Sequence, residues 1–185
     1  MRTHKFRLSI ALAGLLVAAS ISNVAAEEDG AFAGVYLGSR SLSIESGGVS
    51  GSTSGMKYGI LGGYHQALGS KLGLRYYGAA DVGDDTTNAN ANVDVLYTFT
   101  KSDSFEFRGF AGAWAGYASH TGDFSGFDLG LNVGFRGIIA QKHGVELYGH
   151  FGFMSQDKDY TIYGYTYTTK VSQPYQFGIR YTFSF

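Results

Sequence analysis

Long stretches of this chain alternate apolar and polar residues one by one. The stretch 175–185 shows the pattern most clearly, because its odd positions are apolar or aromatic and its even positions are small or polar. A period of two places the two sets on opposite faces of a β-strand. The apolar set here is Tyr175, Phe177, Ile179, Tyr181, Phe183 and Phe185.

The same alternation predicts further strands along the chain. It runs through 89–99, with Leu96 as the one exception, and through 127–136 and 145–153. Weaker alternation predicts strands near 31–45, 56–67, 71–82 and 105–118. The total is eight, which is typical of a small transmembrane up-and-down antiparallel β-barrel.

The predicted connections alternate in length. Short turns fall near Leu68–Lys71, Lys101–Ser104 and Gln141–Gly144, and longer segments near 46–55, 83–88, 119–125 and 155–172. Outer-membrane barrels have short periplasmic turns and longer extracellular loops. We therefore expect both mature termini on the periplasmic side.

Aromatic residues of the predicted lipid face sort toward the two ends of the strands, with aliphatic residues between them. Two aromatic girdles around an aliphatic band are the expected profile of a lipid-facing surface. One end carries Tyr64, Tyr97, Phe99, Phe105, Phe107 and Phe183, the other Tyr58, Tyr117, Phe127, Phe153 and Tyr175, and the middle Ile60, Leu74, Val93, Ala111, Leu131 and Ile179.

The beginning of the chain has the pattern of a secretory signal peptide. Three basic residues precede the apolar run from Leu8 to Ala19, and Val24 and Ala26 occupy the two small-residue positions before a polar segment. We expect cleavage after Ala26, a barrel domain over 27–185 and a location in the cell outer membrane. The removed segment carries three of the 14 Lys and Arg and none of the 15 Asp and Glu, so the mature chain has a net charge of −4.

Composition excludes several classes of protein. The chain has no cysteine, which rules out disulfides, a cysteine nucleophile and thiolate metal sites. Its basic residues are scattered and its net charge is negative, so no nucleic-acid partner is expected. Beyond Ala26, no apolar run approaches the roughly 18 residues of a membrane-spanning helix. Tyr and Phe number 14 each and Gly 28, a composition rich in strand-forming residues and close backbone approaches.

Four short motifs follow one another along roughly 56–185. They are Leu72-Gly-Leu-Arg-Tyr-Tyr-Gly78, Val93-Asp-Val-Leu-Tyr-Thr-Phe99, Leu129-Gly-Leu-Asn-Val-Gly-Phe-Arg136 and His143-Gly-Val-Glu-Leu147. In order and spacing they resemble the Helicobacter outer membrane protein family. The resemblance implies a barrel with a role in the cell envelope. The large extracellular insert of many members is missing, and only Ser46–Gly55 stands in its place, so their adhesin activity is not carried over.

Nine charged residues are predicted to point into the barrel. An eight-stranded barrel is only wide enough for side chains to fill, so we expect these residues to pair and plug the lumen. A small conducting pathway is the alternative. The residues of this lumen charge network are Lys57, Arg75, Asp94, Glu106, Arg108, Asp128, Arg136, Glu146 and Arg180.

No catalytic, cofactor or metal site is predicted. Ser119-His120 invites comparison with lipid A deacylase barrels, but neither a supporting acid nor an oxyanion donor can be placed. Asp84-Asp85 and Asp157-Lys158-Asp159 offer oxygen ligands for a divalent cation, although solvated loop acids explain them better. The histidine spacings do not place two rings at ligand distance on one face.

Two further segments have predicted roles. The aromatic residues Phe177, Ile179, Tyr181, Phe183 and Phe185 resemble the signal that the barrel-insertion machinery recognises. The segment Asp157–Lys170 is rich in Tyr and Thr and is expected to form a hairpin around Tyr163-Gly164 that extends above the membrane. Its exposed tyrosines, which either contact a surface partner or pack together and stiffen the loop, are Tyr160, Tyr163, Tyr165 and Tyr167.

The leading hypothesis is therefore a structural or surface-interaction protein of the outer membrane with a filled lumen. Its expected partners are outer-membrane lipids, lipopolysaccharide and the insertion machinery, together with an unidentified surface ligand. A narrow porin-like channel is the alternative, and a lipid-modifying enzyme at the rim is a third hypothesis.

Overall fold

The computed structural model describes residues 29–84, 86–120, 124–163 and 165–185. The predicted signal peptide, residues 1–26, lies outside the described residues. In the described part of the chain, no helix is long and apolar enough to cross a membrane. The strands are β1 Asp29–Ser46, β2 Val49–Ala67, β3 Leu72–Gly83, β4 Thr86–Lys101, β5 Phe105–His120, β6 Phe124–Ile139, β7 His143–Gly152, β8 Ser155–Ile162, β9 Tyr165–Ser172 and β10 Tyr175–Ser184.

These strands form a closed antiparallel barrel. Strands β1 to β7 pair in chain order, β10 pairs with β7, and β1 closes the sheet by pairing with β10 from Phe32↔Ser184 to Arg40↔Gln176. Strands β8 and β9 form a hairpin that connects β7 to β10. The barrel wall therefore has eight strands, and the predicted fold class is confirmed.

The hairpin separates from the barrel wall at two short interruptions. One lies at Phe153 and Met154, and the other at Gln173 and Pro174, the single proline of the chain. Proline has no N–H to donate to a strand ladder. Its carbonyl accepts the N–H of Gly152 at 3.1 Å, which holds the two interruptions together.

Above the interruptions, the chain forms a small sheet that we call the upper sheet: β8, β9, residues 43–46 of β1 and residues 49–52 of β2. Strand β9 pairs with β8 along its length and with β1 from Ser43↔Ser172 to Ser46↔Thr169. The upper sheet thus continues the barrel wall on one side only. We call this end of the barrel the upper rim and the opposite end the lower rim.

The lower rim carries three short turns whose ends lie within two residues of the predicted ones. They are Leu68–Lys71, Ser102–Ser104 and Ala140–Lys142, each placed between consecutive strands. Strand β1 begins and β10 ends at this rim, since Phe32 pairs with Ser184.

The predicted long loops of the upper rim are wrong for three of the four connections. Within 46–55, β1 and β2 continue to a two-residue turn at Gly47 and Gly48, whose φ angles of 58° and 82° favour glycine. Within 83–88, β3 ends at Gly83 and β4 begins at Thr86.

The third of these segments, 119–125, is also largely strand. Strand β5 reaches His120 and β6 begins at Phe124, and the two residues pair with each other. The physical reason is common to all three: backbone hydrogen bonds extend the ladders past the point where a lipid-facing apolar pattern is needed. Segments rich in serine, threonine and glycine were therefore predicted as loops, although their backbone belongs to the sheet.

Apolar residues of this barrel lie mainly on its outside. Most outward positions of β4, β6, β7 and β10 are large, apolar and exposed, as expected for a surface that faces lipid. The interior holds a smaller cluster, and Leu96, which breaks the alternation of β4, belongs to it. The cluster consists of Phe32, Tyr36, Leu61, Tyr77, Leu96, Phe110 and Tyr148.

Candidate functional site: the lumen and the upper sheet

All nine residues predicted for the lumen charge network are buried inside the barrel. The structure groups eight of them into three clusters of opposite charges, and it places Asp128 apart from these clusters. It also adds Arg40 and Asp81, two buried charges that the sequence interpretation did not include.

The central group, which we call the Glu146 cluster, spans the lumen. Arg136 on β6 and Arg180 on β10 are the direct neighbours of Glu146 on β7 in the strand register. Their guanidinium nitrogens lie 3.7 and 3.6 Å from its carboxylate oxygens. Arg75 reaches the same carboxylate from β3 on the far side of the lumen and also binds its neighbour Asp94, with Nη2 2.7 Å from Oδ2. The cluster therefore connects β4 to β10 across the barrel.

Aromatic rings line the sides of the Glu146 cluster. The guanidinium carbon of Arg180 lies 3.9 Å from the centre of the Tyr148 ring, and that of Arg75 lies 4.7 Å from the centre of Phe110. The Tyr77 hydroxyl accepts a hydrogen bond from Arg180 at 2.9 Å. Cation–π contacts of this kind strengthen when they are shielded from water. The rings and ion pairs together fill the middle of the lumen.

A second group, the Asp81 cluster, lies closer to the upper rim. Lys57 Nζ lies 3.2 Å from Asp81 Oδ2, and the Tyr36 hydroxyl donates to the same oxygen at 2.8 Å. Asn88 donates to the other carboxylate oxygen at 2.9 Å. Arg40 approaches Asp81 at 4.0 Å and donates to the Gly83 carbonyl at 2.5 Å. Both Arg40 and Asp81 occupy inward positions of their strands.

The sequence contained only a weak signal for these two residues. Arg40 lies between Ser39 and Ser41, and Asp81 follows two alanines, so neither has the aromatic neighbours that mark alternation elsewhere. Strict continuation of the period of two from Tyr36 would have placed Arg40 inside the barrel. The same continuation from Arg75 would have placed Asp81 there.

The third group, the Glu106 cluster, lies at the lower rim. Arg108 Nε donates to Glu106 Oε1 at 2.5 Å, and Thr98 donates to the same oxygen at 2.9 Å. Arg108 Nη1 lies 2.8 Å from Nε2 of His65. This cluster lies at the lower end of the lumen beside a cavity.

Asp128 is the exception to the expected pairing. It points inward and is buried, but it accepts the backbone N–H groups of Leu129 at 2.8 Å and Met154 at 3.3 Å rather than a basic side chain. The interruption between β7 and β8 exposes these backbone donors, and the carboxylate satisfies them. Asp128 therefore holds the base of the upper sheet.

The four tyrosines predicted as a surface contact lie on the β8–β9 hairpin. The hairpin turns where predicted: Ile162 pairs with Tyr165 around a turn that starts at Tyr163. Gly164 lies outside the described residues. Tyr163 is 98% exposed and Tyr165 is 69% exposed. Tyr160 packs near Phe124 and is less exposed, and Tyr167 pairs with Tyr160 across the hairpin.

The outward residues predicted to guide assembly lie together on β10. Phe177, Ile179 and Tyr181 are each at least 43% exposed on the outer wall. Phe183 and Phe185 form an edge-to-face ring pair at the lower rim, with centres 5.5 Å apart. The structure thus presents one continuous apolar face, and its recognition by the insertion machinery stays a prediction.

The candidate sites for catalysis and metal binding are not assembled in the described residues. Ser119 faces outward and His120 faces inward, so the two adjacent side chains do not form a pair; His120 contacts Thr86 at 3.2 Å. Asp84 accepts the N–H of Met56, and Asp159 accepts the hydroxyl of Thr168. Within the described ranges, no group of three or more histidine and carboxylate side chains is placed to hold a metal ion.

The structure defines an eight-stranded β-barrel of the outer-membrane type, with an apolar exterior and a charged, filled interior. The outer membrane protein OprG from Pseudomonas aeruginosa has a similar fold: the match covers 86% of this chain and 97% of that chain at 11% sequence identity, with a TM-score of 0.52. Neisserial surface protein A also matches, over 84% of this chain and 99% of that chain at 14% identity and a TM-score of 0.48.

The sequence comparisons add no closer relative. No protein-family model matches the chain. No curated protein matches it either. The match to OprG supports the fold, and nothing in the comparisons links the chain specifically to the Helicobacter family.

Proposed function

We propose that the protein is an outer-membrane barrel with a closed lumen, and that its upper sheet contacts a partner outside the cell. In this orientation the lower rim faces the periplasm and the upper rim faces outward. Segment 1–26 acts as a signal peptide that is cleaved after Ala26. The apolar outer wall, the aromatic residues near its two ends and the short lower turns support this placement.

The Glu146 cluster is the observation that carries the closed lumen. Its five charged side chains are all buried and lie where a conducting pathway would have to pass. Opening a path for hydrated ions would separate pairs that are held by short contacts in a low-dielectric interior. A structural role therefore fits the geometry better than the narrow porin-like channel.

The upper sheet carries the proposed contact. It is anchored on two sides, by Asp128 at its base and by the pairing of β9 with β1, so its tyrosines are presented on a supported surface. Tyrosine offers a large, fairly rigid contact area with a polar tip, and it is enriched where proteins bind. A protein or glycan surface is the partner class that suits such residues.

Replacing Tyr160, Tyr163, Tyr165 and Tyr167 together with serine tests this contact. Membrane insertion should be unchanged, since the residues lie above the barrel wall, and binding to host or neighbouring cells should fall. A matched variant with phenylalanine at all four positions keeps the apolar area and removes only the hydroxyls. Unchanged cell binding by the serine variant, in a strain that shows such binding, would leave the tyrosines with a purely stiffening role.

Further partners follow from the same placement. Membrane lipids and lipopolysaccharide would surround the apolar wall, and the barrel-insertion machinery would recognise the aromatic face of β10. On the basis of the four motifs, we also propose that the chain is a member of the Helicobacter outer membrane protein family.

A further inference from the structure

Strand β2 has an open edge above the barrel wall. Its pairing with β3 begins only at Tyr58↔Val82, whereas its pairing with β1 continues to the turn, at Ser46↔Val49. Among the described residues, no strand lies on the other side of residues 49–55. We call these residues the β2 edge. They continue upward from the point where β3 turns away at Gly83.

Alternate residues of the β2 edge direct their backbone groups to the open side. In an antiparallel ladder each residue points its N–H and C=O to one side, and the next residue points them to the other. The N–H of Met56 donates to the Asp84 carboxylate at 2.9 Å, on the side of β3, so the even-numbered residues face that side. Ser50, Ser52 and Ser54 therefore present three N–H and three C=O groups that no strand of the described residues pairs.

The β2 edge lacks the features that usually prevent an exposed strand edge from pairing. Charged side chains, proline and bulges are common among them. Residues 49–55 contain neither charge nor proline, and their pairing with β1 has no register shift. Strand β8, at the opposite edge of the upper sheet, carries Asp157, Lys158 and Asp159. The upper sheet is therefore protected at one edge and able to accept a strand at the other.

The inner face of the β2 edge is apolar at its upper end and acidic at its lower end. Val49 is 75% exposed, and Ile44 on the same face of β1 is 43% exposed. Gly51 pairs with Ile44, and a Cβ on Gly51 would meet no atom within 4 Å, so a side chain of an added strand can reach Ile44 across it. At the lower end, Asp84 Oδ2 lies beside Gly55, 2.7 Å from the position of a Cβ there.

A second copy of the chain in the same membrane does not fit this edge. Two identical edges pair antiparallel about a two-fold axis perpendicular to the strands, because the same residues are used in both copies. That axis points the second barrel in the opposite direction, whereas barrels in one membrane share one direction. The strand that fits the β2 edge therefore belongs to a different protein.

We propose that the β2 edge binds an extended segment of a partner protein by β-strand addition. The segment runs antiparallel to β2, as β3 does, and exchanges backbone hydrogen bonds with Ser50, Ser52 and Ser54. Its side chains on the inner face are aliphatic, and a basic residue at its N-terminal end pairs with Asp84. This inference rests on the proposed exterior position of the upper sheet, but it uses the edge that lies away from the tyrosines of β8 and β9.

Fluorescence anisotropy of a fluorescein-labelled peptide, Lys-Thr-Val-Thr-Ile-Thr-Val, with the detergent-solubilised barrel tests the proposal. The peptide has an N-terminal lysine and aliphatic residues at alternate positions, and it should bind saturably. N-methylation of the central threonine, whose N–H faces β2, should weaken binding by at least about tenfold. N-methylation of the preceding valine, whose N–H faces away from β2, should weaken it by less than about twofold.

Two substitutions of Ser52 separate the backbone from the side chain. Ser52→Pro removes the N–H on the open side, keeps the bonds to β1, and should weaken peptide binding by at least about tenfold. Ser52→Ala keeps the N–H and should change binding by less than about twofold. Gel migration with and without heating verifies that each variant folds. No saturable binding to the folded wild-type barrel, or equal binding by the two variants, would overturn the proposal.

The assigned direction and the identity of the occupant have their own tests. Glutamate in place of the peptide's lysine should weaken binding by about two- to fivefold, and Asp84→Asn should abolish this difference. Equal binding of both peptides to the wild type would overturn the antiparallel direction. Because the chain has no cysteine, Ser52→Cys also reports self-pairing. A disulfide-linked dimer that the peptide does not displace would assign the edge to a second copy and overturn the proposal.

The tyrosine contact of the proposed function can fail independently of this one. The variant with serine at the four tyrosines should bind the peptide as the wild type does, because those residues lie on β8 and β9 and on the turn between them. Loss of cell binding with intact peptide binding would confirm two separate contacts. Loss of peptide binding in that variant would place the peptide on the tyrosines and overturn the proposal.

Discussion

Replacing Glu146 with glutamine removes the negative charge at the centre of the lumen while keeping the size of the side chain. Glu146 is fully buried, and its carboxylate is shared by Arg75, Arg136 and Arg180. Arg75 retains Asp94 after the change, but the cluster then holds three cations and one carboxylate. Removing one partner of a buried ion pair costs about 3–5 kcal/mol, and we expect Glu146→Gln to lower the free energy of unfolding by that amount.

Urea unfolding of the barrel in lipid vesicles, followed by the heat-dependent shift of the folded band on gels, measures this loss. Glu45→Gln is the matched control, since Glu45 is exposed on the upper part of β1 and the same exchange there should have a much smaller effect. A loss for Glu146→Gln no larger than that for Glu45→Gln would refute the reasoning that the cluster is buried and paired.

A double-mutant cycle separates pairing from simple packing. Arg180→Met alone leaves Glu146 with one fewer cation, whereas the same change in the Glu146→Gln background removes a cation that has already lost its partner. We expect the second change to cost less than the first, with a coupling energy of about 0.5–3 kcal/mol. Additive losses would show that the two side chains do not interact.

Three further predictions address the outer wall and the interior. Leu131→Arg, on the lipid-facing side of β6, should lower the free energy of unfolding in urea by about 2–4 kcal/mol. Ile139→Arg, nearer the lower end of the same face, should lower it by about 0–1 kcal/mol. Equal losses would contradict the assigned depth of the two residues. Serine at both Phe183 and Phe185 should lower the amount of protein recovered in the membrane fraction, and normal recovery would argue against a role of this face in insertion. Trp114, the single tryptophan, is buried in the lumen. Iodide should therefore quench its fluorescence weakly in the folded barrel and strongly after unfolding. Strong quenching in the folded state would mean an open interior.

The strands of the barrel wall were predictable because lipid and lumen impose opposite demands on successive residues. Strand β10 alternates along its whole length, since every outward residue meets lipid and every inward residue meets the polar interior. The alternation fails in β2 above Met56, where neither demand applies. Residues 50–55 consist only of serine, threonine and glycine, and the continuation of the strand there depends on pairing with β1 rather than on any local pattern.

The inward direction of the nine charged residues was also predictable from the period of two, but their partners were not. Arg136 and Arg180 approach Glu146 because β6, β7 and β10 are neighbours in one register. The contact of Glu146 with Arg75 depends on the width of the closed barrel. Asp128 instead meets backbone donors at an interruption of the wall, which no local pattern indicates.

Conductance of purified protein in planar lipid bilayers tests the central claim, that the barrel is closed by its own side chains, most directly. Insertion is first verified by the heat-dependent gel shift of protein recovered from the bilayer lipid. We predict that the wild-type barrel gives no discrete current steps above those of a protein-free bilayer, because the Glu146 cluster and its aromatic neighbours fill the lumen. Reproducible steps from verified wild-type protein would contradict this account and establish a channel.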